Sequence, residues 1–214
     1  MVKSMLWRFT NALCIVALLQ TTNAIAQAQL NTPSTTDAIQ RVVAAGLMNN
    51  DADGQFHPQR LISRAELAAI LVEAFQLDQR AAATQDLVEV QDVPASHWAF
   101  NDIQTVLKTG IMRGYRGNMF FPNQKVNRAE AFAIFAQAYG VYQFPDNTVA
   151  EILAPYPDAA SIPNWARKSL ATALNEGFVN IDAQGNINPL QPATRGDLAY
   201  TLSQYLQKQQ QPGV

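Results

Sequence analysis

Three glycines, Gly46, Gly110 and Gly177, each begin the same series of residues, at intervals of 64 and 67 positions. Eight residues on lie Gly54, Asn118 and Gly185, the types that accept positive φ most readily. Ten on come Phe56, Phe120 and Ile187, and twelve on Pro58, Pro122 and Pro189. Eighteen on stand Arg64, Arg128 and Arg195, each preceded by a residue that caps helices well: Ser63, Asn127 and Thr194. A chain that repeats itself in register is built from one supersecondary unit used several times.

Each repeat reads as helix, loop, helix. Ahead of the glycine, Ile39, Val42, Val43 and Leu47 fall at helical spacing, as do Ile103, Val106, Leu107 and Ile111, then Leu170, Ala173 and Leu174. The glycine suits the position just past a helix end. After the arginine, Leu67, Ile70, Leu71, Ala74 and Phe75 form an apolar stripe that recurs from Ala131 to Tyr139 and from Leu198 to Leu206. A helix pair this short cannot bury its apolar face alone. The expected fold is therefore mainly all-α: three helix-loop-helix modules packed with pseudo-threefold symmetry. The expected boundaries are 27–77, 91–141 and 157–206, with linkers at 78–90 and 142–156 and a frayed glutamine-rich tail at 207–214. The first repeat lacks its front, since Ser34 stands where the others have Trp98 and Trp165.

The runs Asp92-Val-Pro-Ala-Ser-His-Trp98-Ala, Gly110-Ile-Met-Arg-Gly114-Tyr115, Phe120-Phe-Pro122 and Asn127-Arg128-Ala129-Glu130 resemble an S-layer homology module. The resemblance implies three modules in a mainly helical pseudo-threefold body. It also implies grooves between modules that hold cell-wall polysaccharide, typically through a pyruvate ketal on an amino sugar. By the same resemblance the arginine of the Thr-Arg-Ala-Glu motif meets the ligand's carboxylate. Here that is Arg64 in Ser-Arg-Ala-Glu, Arg128 in Asn-Arg-Ala-Glu, and Arg195 in Thr-Arg-Gly-Asp.

The tetrapeptide also has a reading of its own. Ser63 with Glu66 forms a capping box; Asn127 with Glu130 does much the same, and Thr194 with Asp197 is a shorter-armed version. These six residues are expected to be structural. The arginine is not needed by the cap, yet it stands beside first-turn amides and the positive end of the helix dipole, which suits an anion. The alternative is an arginine that is solvated or paired to a neighbouring module.

Tyr115, between Arg113 and Arg116, is a candidate for an exposed groove residue. Trp98 and Trp165 offer faces for stacking on sugars, but at helix starts the stronger expectation is that they anchor the core. In the loop where the family shows Gly-Tyr-x-Asp-Gly, only the second repeat keeps the glycine and tyrosine, so the three grooves are expected to be inequivalent, with fewer than three binding.

The N-terminus has its own chemistry. Lys3 and Arg8 precede the apolar stretch Ala12 to Leu19, and Ala24-Ile25-Ala26 supplies a small-x-small cleavage pattern. This predicts a signal peptide at 1–26 and an exported, wall-associated protein of the periplasm or cell surface. The apolar stretch is far shorter than the roughly 20 residues that span a bilayer, and no other run approaches that length. The single cysteine, Cys14, falls inside it. Lys plus Arg total 15 against 17 Asp plus Glu, with no basic run, which excludes an electrostatic grip on nucleic acid.

Two rival functions find little support in the residues. Asn49-x-Asp51-x-Asp53-Gly54 resembles the front of a calcium loop, but its twelfth place, which needs a bidentate acid, is Arg60; counted from Asn180, it is Gln191. His57 and His97 have no partner at zinc spacing, Gly-x-Ser-x-Gly is absent, and no segment outside the repeats is long enough for a catalytic domain. The expectation is a non-enzyme without metal or cofactor. Its expected partner is a carboxylate-bearing cell-wall polysaccharide, the alternative being a scaffold for another envelope protein.

Overall fold

The computed structural model describes residues 34–81 and 86–210; the signal peptide expected at 1–26 lies outside them, as do the last four residues. Among the described residues there are eight α-helices, two short 3-10 turns and no strand. The helices are α1 (Thr35–Ala44), α2 (Arg64–Phe75), α3 (Leu77–Ala81), α4 (Phe100–Lys108), α5 (Arg128–Tyr139), α6 (Asp146–Leu153), α7 (Arg167–Asn175) and α8 (Arg195–Gln210). The all-α class holds, and none of the described helices is long and apolar enough to cross a membrane.

The repeat register is visible in the backbone. Gly46, Gly110 and Gly177 adopt φ of 72°, 71° and 73°, the left-handed turn that ends each first helix. Gly54, Asn118 and Gly185 are also left-handed, as their types require. Before α2, α5 and α8, three equivalent buried residues close a ring of hydrogen bonds. The Ile62 amide donates to Ala193 O (3.0 Å), Ala193 to Val126 O (2.9 Å), and Val126 to Ile62 O (3.2 Å). Each repeat therefore supplies one donor and one acceptor to a cycle that only all three complete.

Helix pairing does not stay within a repeat. The first helix of each repeat packs on the second helix of the preceding one: α4 on α2, α7 on α5, and α1 on α8. This interleaving buries both stripes at once, which a single helix pair could not do. Phe75, Phe135 and Tyr205, one from each second helix, meet with ring centroids 4.9–6.0 Å apart, in the range where edge contacts between aromatics are favourable.

Two expected connectors contain helices. The linker expected at 142–156 holds α6, a helix of two turns whose apolar stripe is Val149, Ile152 and Leu153. The linker at 78–90 overlaps α3, and its far end is pinned by buried Gln104, whose amide exchanges two 2.8 Å hydrogen bonds with the Val88 backbone. The tail expected to fray from 207 remains helical to Gln210, because Lys208 Nζ reaches the Glu176 carboxylate at 2.8 Å. Tyr139 OH donates to the same carboxylate at 3.2 Å, tying α5, α8 and the end of α7 together.

That carboxylate makes stability depend on pH. Burial pushes the Glu176 pKa up, but Lys208 and the neighbouring donors outweigh it and hold the group below 4.5. Glu66 behaves alike: burial raises it, while the Ser63 amide and Arg60 bring it below 4.5. A folded-state pKa below the unfolded one gives stability that is complete above 4.5 and is lost as pH falls. The urea midpoint is therefore expected to be lower at pH 3.5 than at pH 6; equal midpoints would refute the coupling.

Candidate functional site

The starts of α2, α5 and α8 carry the three recurring arginines, and all three caps form. At Ser63 the box is reciprocal: Oγ accepts from the Glu66 amide (3.2 Å) and the Glu66 carboxylate accepts from the Ser63 amide (2.8 Å). Thr194 and Asp197 form the same box at the same distances, so the shorter aspartate arm still reaches. Asn127 Oδ1 accepts from the Glu130 amide at 2.8 Å. Two of the three boxes are reciprocal, whereas the Glu130 carboxylate is turned to Arg64 at 2.7 Å.

The amides beside these caps are not available to an anion. Arg64 and Ala65 donate their backbone N–H groups to Gln124 O and Pro122 O of the second repeat, at 2.9 and 3.0 Å. Arg128 and Ala129 donate to Gln191 O and Pro189 O of the third, and Arg195 and Gly196 to Arg60 O and Pro58 O of the first, all at 2.8 Å. The recurring prolines thus present carbonyls that plug the next helix start. At the last of these joints a Cβ on residue 196 would lie 3.1 Å from Pro58 O, which accounts for glycine where the other repeats have Ala65 and Ala129.

The arginine side chains are sequestered too, which corrects the expectation that they stand open to a ligand. Arg64 is 3% exposed. Its Nε donates to Phe120 O (2.8 Å), Nη2 to Arg113 O (2.8 Å) and Nη1 to Glu130 Oε1 (2.7 Å), all in the second repeat. Arg128 makes the equivalent bonds in the third: Nε to Ile187 O, Nη2 to Asn180 O, and Nη1 to Asp197 and the Asn180 side chain. Arg195 closes the cycle on the first, with Nε to Phe56 O and Nη2 to Asn49 O. The acid expected opposite it, Glu66, is taken by Arg60. Burial first, and then the charge of Arg60, lower the Arg195 pKa. Each guanidinium lies over a ring, 4.4–4.9 Å from the centroid: Tyr115 and Phe120 for Arg64, Phe132 for Arg128, Phe56 for Arg195. The arginines fasten one module to the next, and the acids that hold them are Glu130 and Asp197.

What remains open lies above Arg64. Tyr115 is 44% exposed, its ring 5.4 Å from that of Phe121, which is 40% exposed. Phe121 sits at a left-handed corner (φ 56°) that His57 and Asn188 repeat. Asp92 holds that corner by accepting from the Phe120 and Phe121 amides at 2.8 and 2.6 Å, as Asp158 does for Ile187 and Asn188. Arg113 and Arg116, beside Tyr115, are exposed, and no ion pair among the described residues engages either. The junction of modules 1 and 2 therefore shows an aromatic pair beside two unspent guanidiniums. Phe121 escaped notice in the sequence, although its place just before the recurring proline was a usable signal.

Trp98 and Trp165 are 65% and 60% exposed, which overturns their expected role as core anchors. The next residues, Ala99 and Ala166, are fully buried and take the core-facing positions just ahead of α4 and α7, which leaves the indoles outside. His97 stacks on Trp98 and accepts from the Ala99 amide through Nδ1 (3.1 Å), fixing the turn. His57 pairs with Asp53 at 2.6 Å beside a cavity of about 580 Å³ lined by Asp51, His57, Pro58, Gln59 and Arg60.

The S-layer homology domain matches residues 31–68, 91–132 and 155–199, over these interlocked helices and loops. The chain belongs to the S-layer homology domain family. It is 32% identical to a surface-layer 125 kDa protein of Lysinibacillus sphaericus, over 80% of this chain and 14% of that protein. It is 23% identical to a cellulosome-anchoring protein of Acetivibrio thermocellus, over 72% and 34%. An exoglucanase of Acetivibrio thermocellus is 26% identical over 80% and 15%. This S-layer homology chain thus spans a minor part of the length of each of these relatives.

Proposed function

We propose that this chain is a non-catalytic, exported envelope protein that attaches to a cell-wall polysaccharide through a carboxylate-bearing sugar, with a pyruvate ketal on an amino sugar as the decoration. The observation that carries the reading is the exposed Tyr115 and Phe121 pair at the junction of modules 1 and 2, with Arg113 and Arg116 unpaired beside it. An aromatic face takes the apolar side of a sugar ring, and a guanidinium fork matches a carboxylate. The family, together with relatives named for surface layers and for anchoring, supports the same direction. Arg64 supports the site from beneath and positions Tyr115; Arg128 and Arg195 hold the other two junctions. Trp98 and Trp165 offer further stacking faces, although no contact among the described residues joins either to Tyr115 or to the three arginines.

The test is co-sedimentation of the mature protein with purified wall sacculi before and after mild acid removal of ketal-linked pyruvate. Retention is expected to fall at least about tenfold, the loss of one charge-assisted contact. Undiminished retention refutes the carboxylate and leaves the alternative of a protein-binding scaffold.

A further inference from the structure

The three junctions share one backbone template, so their side chains can be compared position by position. The fifth residue after each origin glycine donates its amide to the carbonyl four residues later: Asp51 to Gln55 (2.8 Å), Tyr115 to Met119 (2.7 Å) and Asp182 to Asn186 (3.1 Å). Where module 2 has Tyr115, modules 1 and 3 therefore carry a carboxylate. Where it has Arg116 they have Ala52 and Ala183, and where it has Arg113 they have Asn49 and Asn180.

The cations actually left over differ accordingly. At the junction of modules 1 and 2, Arg64 and Glu130 cancel, and Arg113 and Arg116 remain against Asp92, whose two oxygens are taken by the Phe120 and Phe121 amides. At the junction of modules 2 and 3, Arg128 and Asp197 cancel, and Asp182 remains. Asp182 accepts from the Asn186 and Gln184 amides and from the Asn186 and Asn188 side chains. Those donors, the Asn186 amide foremost, lower its pKa to about 2, so it stays charged. At the junction of modules 3 and 1, Arg60 is spent between Asp51 and Glu66, 2.5–3.3 Å away, and Arg195 is buried on two carbonyls, so the two cations and two carboxylates balance and no exposed cation is left over.

We infer that this chain binds one acidic sugar, at the junction of modules 1 and 2, that Asp182 bars such a ligand from the junction of modules 2 and 3, and that the junction of modules 3 and 1, its charges already paired, has no free cation to hold one. The inference rests on the glycan reading above and assigns its specificity: like charge opposes the ligand in one groove, balanced charge leaves the second indifferent, and opposite charge draws it into the third. The neutral part of the ligand is not discriminated; its carboxylate is.

Titration calorimetry of the mature protein with a synthetic pyruvate-ketal amino-sugar glycoside tests it, with the pyruvate-free glycoside as control. One equivalent is expected to bind, and the paired substitutions Arg113→Ser and Arg116→Ser are expected to abolish that event. Asp182→Asn together with Ala183→Arg leaves Oδ1 to accept from the Gln184 and Asn186 amides, removes the barring charge and adds a cation; a second event is expected. Two or three equivalents on the native chain, or binding that survives the paired serines, overturns the assignment while leaving the glycan reading intact. A stoichiometry of one in the Asp182 and Ala183 variant overturns the exclusion. No heat from the native chain with either glycoside removes the glycan reading itself, and the assignment with it.

Discussion

Arg128→Ala is expected to destabilise the fold by about 3–5 kcal/mol, the usual cost of leaving one member of a buried ion pair alone. The guanidinium bonds to two carbonyls, to the Asn180 side chain and to Asp197, whose side chain is 10% exposed. Its removal leaves the Ile187 and Asn180 carbonyls without this donor and the Asp197 carboxylate without its cation, held only by the Asn180 side chain and the Thr194 amide. Lysine is not expected to rescue it, since a single ammonium cannot span the Ile187 and Asn180 carbonyls and the Asp197 carboxylate together. Arg64→Ala should cost less, with three bonds lost, and Arg195→Ala least, with two carbonyl bonds and no acid bonded to it. Urea unfolding followed by circular dichroism measures the series. A loss below about 1 kcal/mol for Arg128 would place it among solvated surface arginines and undo its role as a fastener.

The largest effect on attachment is expected from reversing charge at the open junction. Each charge-assisted hydrogen bond contributes about 1.5–3 kcal/mol, so losing two weakens retention on sacculi by at least about 100-fold, and repulsion adds to that. Arg113→Glu with Arg116→Glu should therefore release the protein from the wall while leaving its helical signal and urea midpoint essentially unchanged, because both side chains are exposed. The two experiments separate the arginines by role: Arg128 moves stability, whereas Arg113 and Arg116 move retention. Retention at native levels in the reversed variant would rule out the open junction as the attachment point.

The threefold plan was legible because each repeat reuses the same turn glycine, loop proline, cap and stripe, each of which has a local physical reason. The capping residues were legible for the same reason, since a box lies within four consecutive residues. The fate of the arginines was not. Their acids, Glu130 and Asp197, stand 66 and 69 residues further along the chain, and no spacing rule says that a side chain crosses into the next module. A signal was there in retrospect: two residues past each arginine stands an acid, and only Glu66, whose neighbour Arg60 competes for it, fails to serve. Trp98 and Trp165 misled for a different reason. The core position at each helix start needed a small residue, and Ala99 and Ala166 filled it, which turned the indoles outward.

The pairing of α1 with α8 has a bearing on how the chain comes into being. Among the described helices α1 comes first and packs on α8, which comes last, and the hydrogen-bonded cycle of Ile62, Val126 and Ala193 is open until the third repeat arrives. No fragment that stops short of α8 holds a finished unit, so a growing chain has little incentive to settle before that helix is released. Assembly of the three repeats is then close to a single event, and a protein truncated within α8 should be degraded rather than stored half-built.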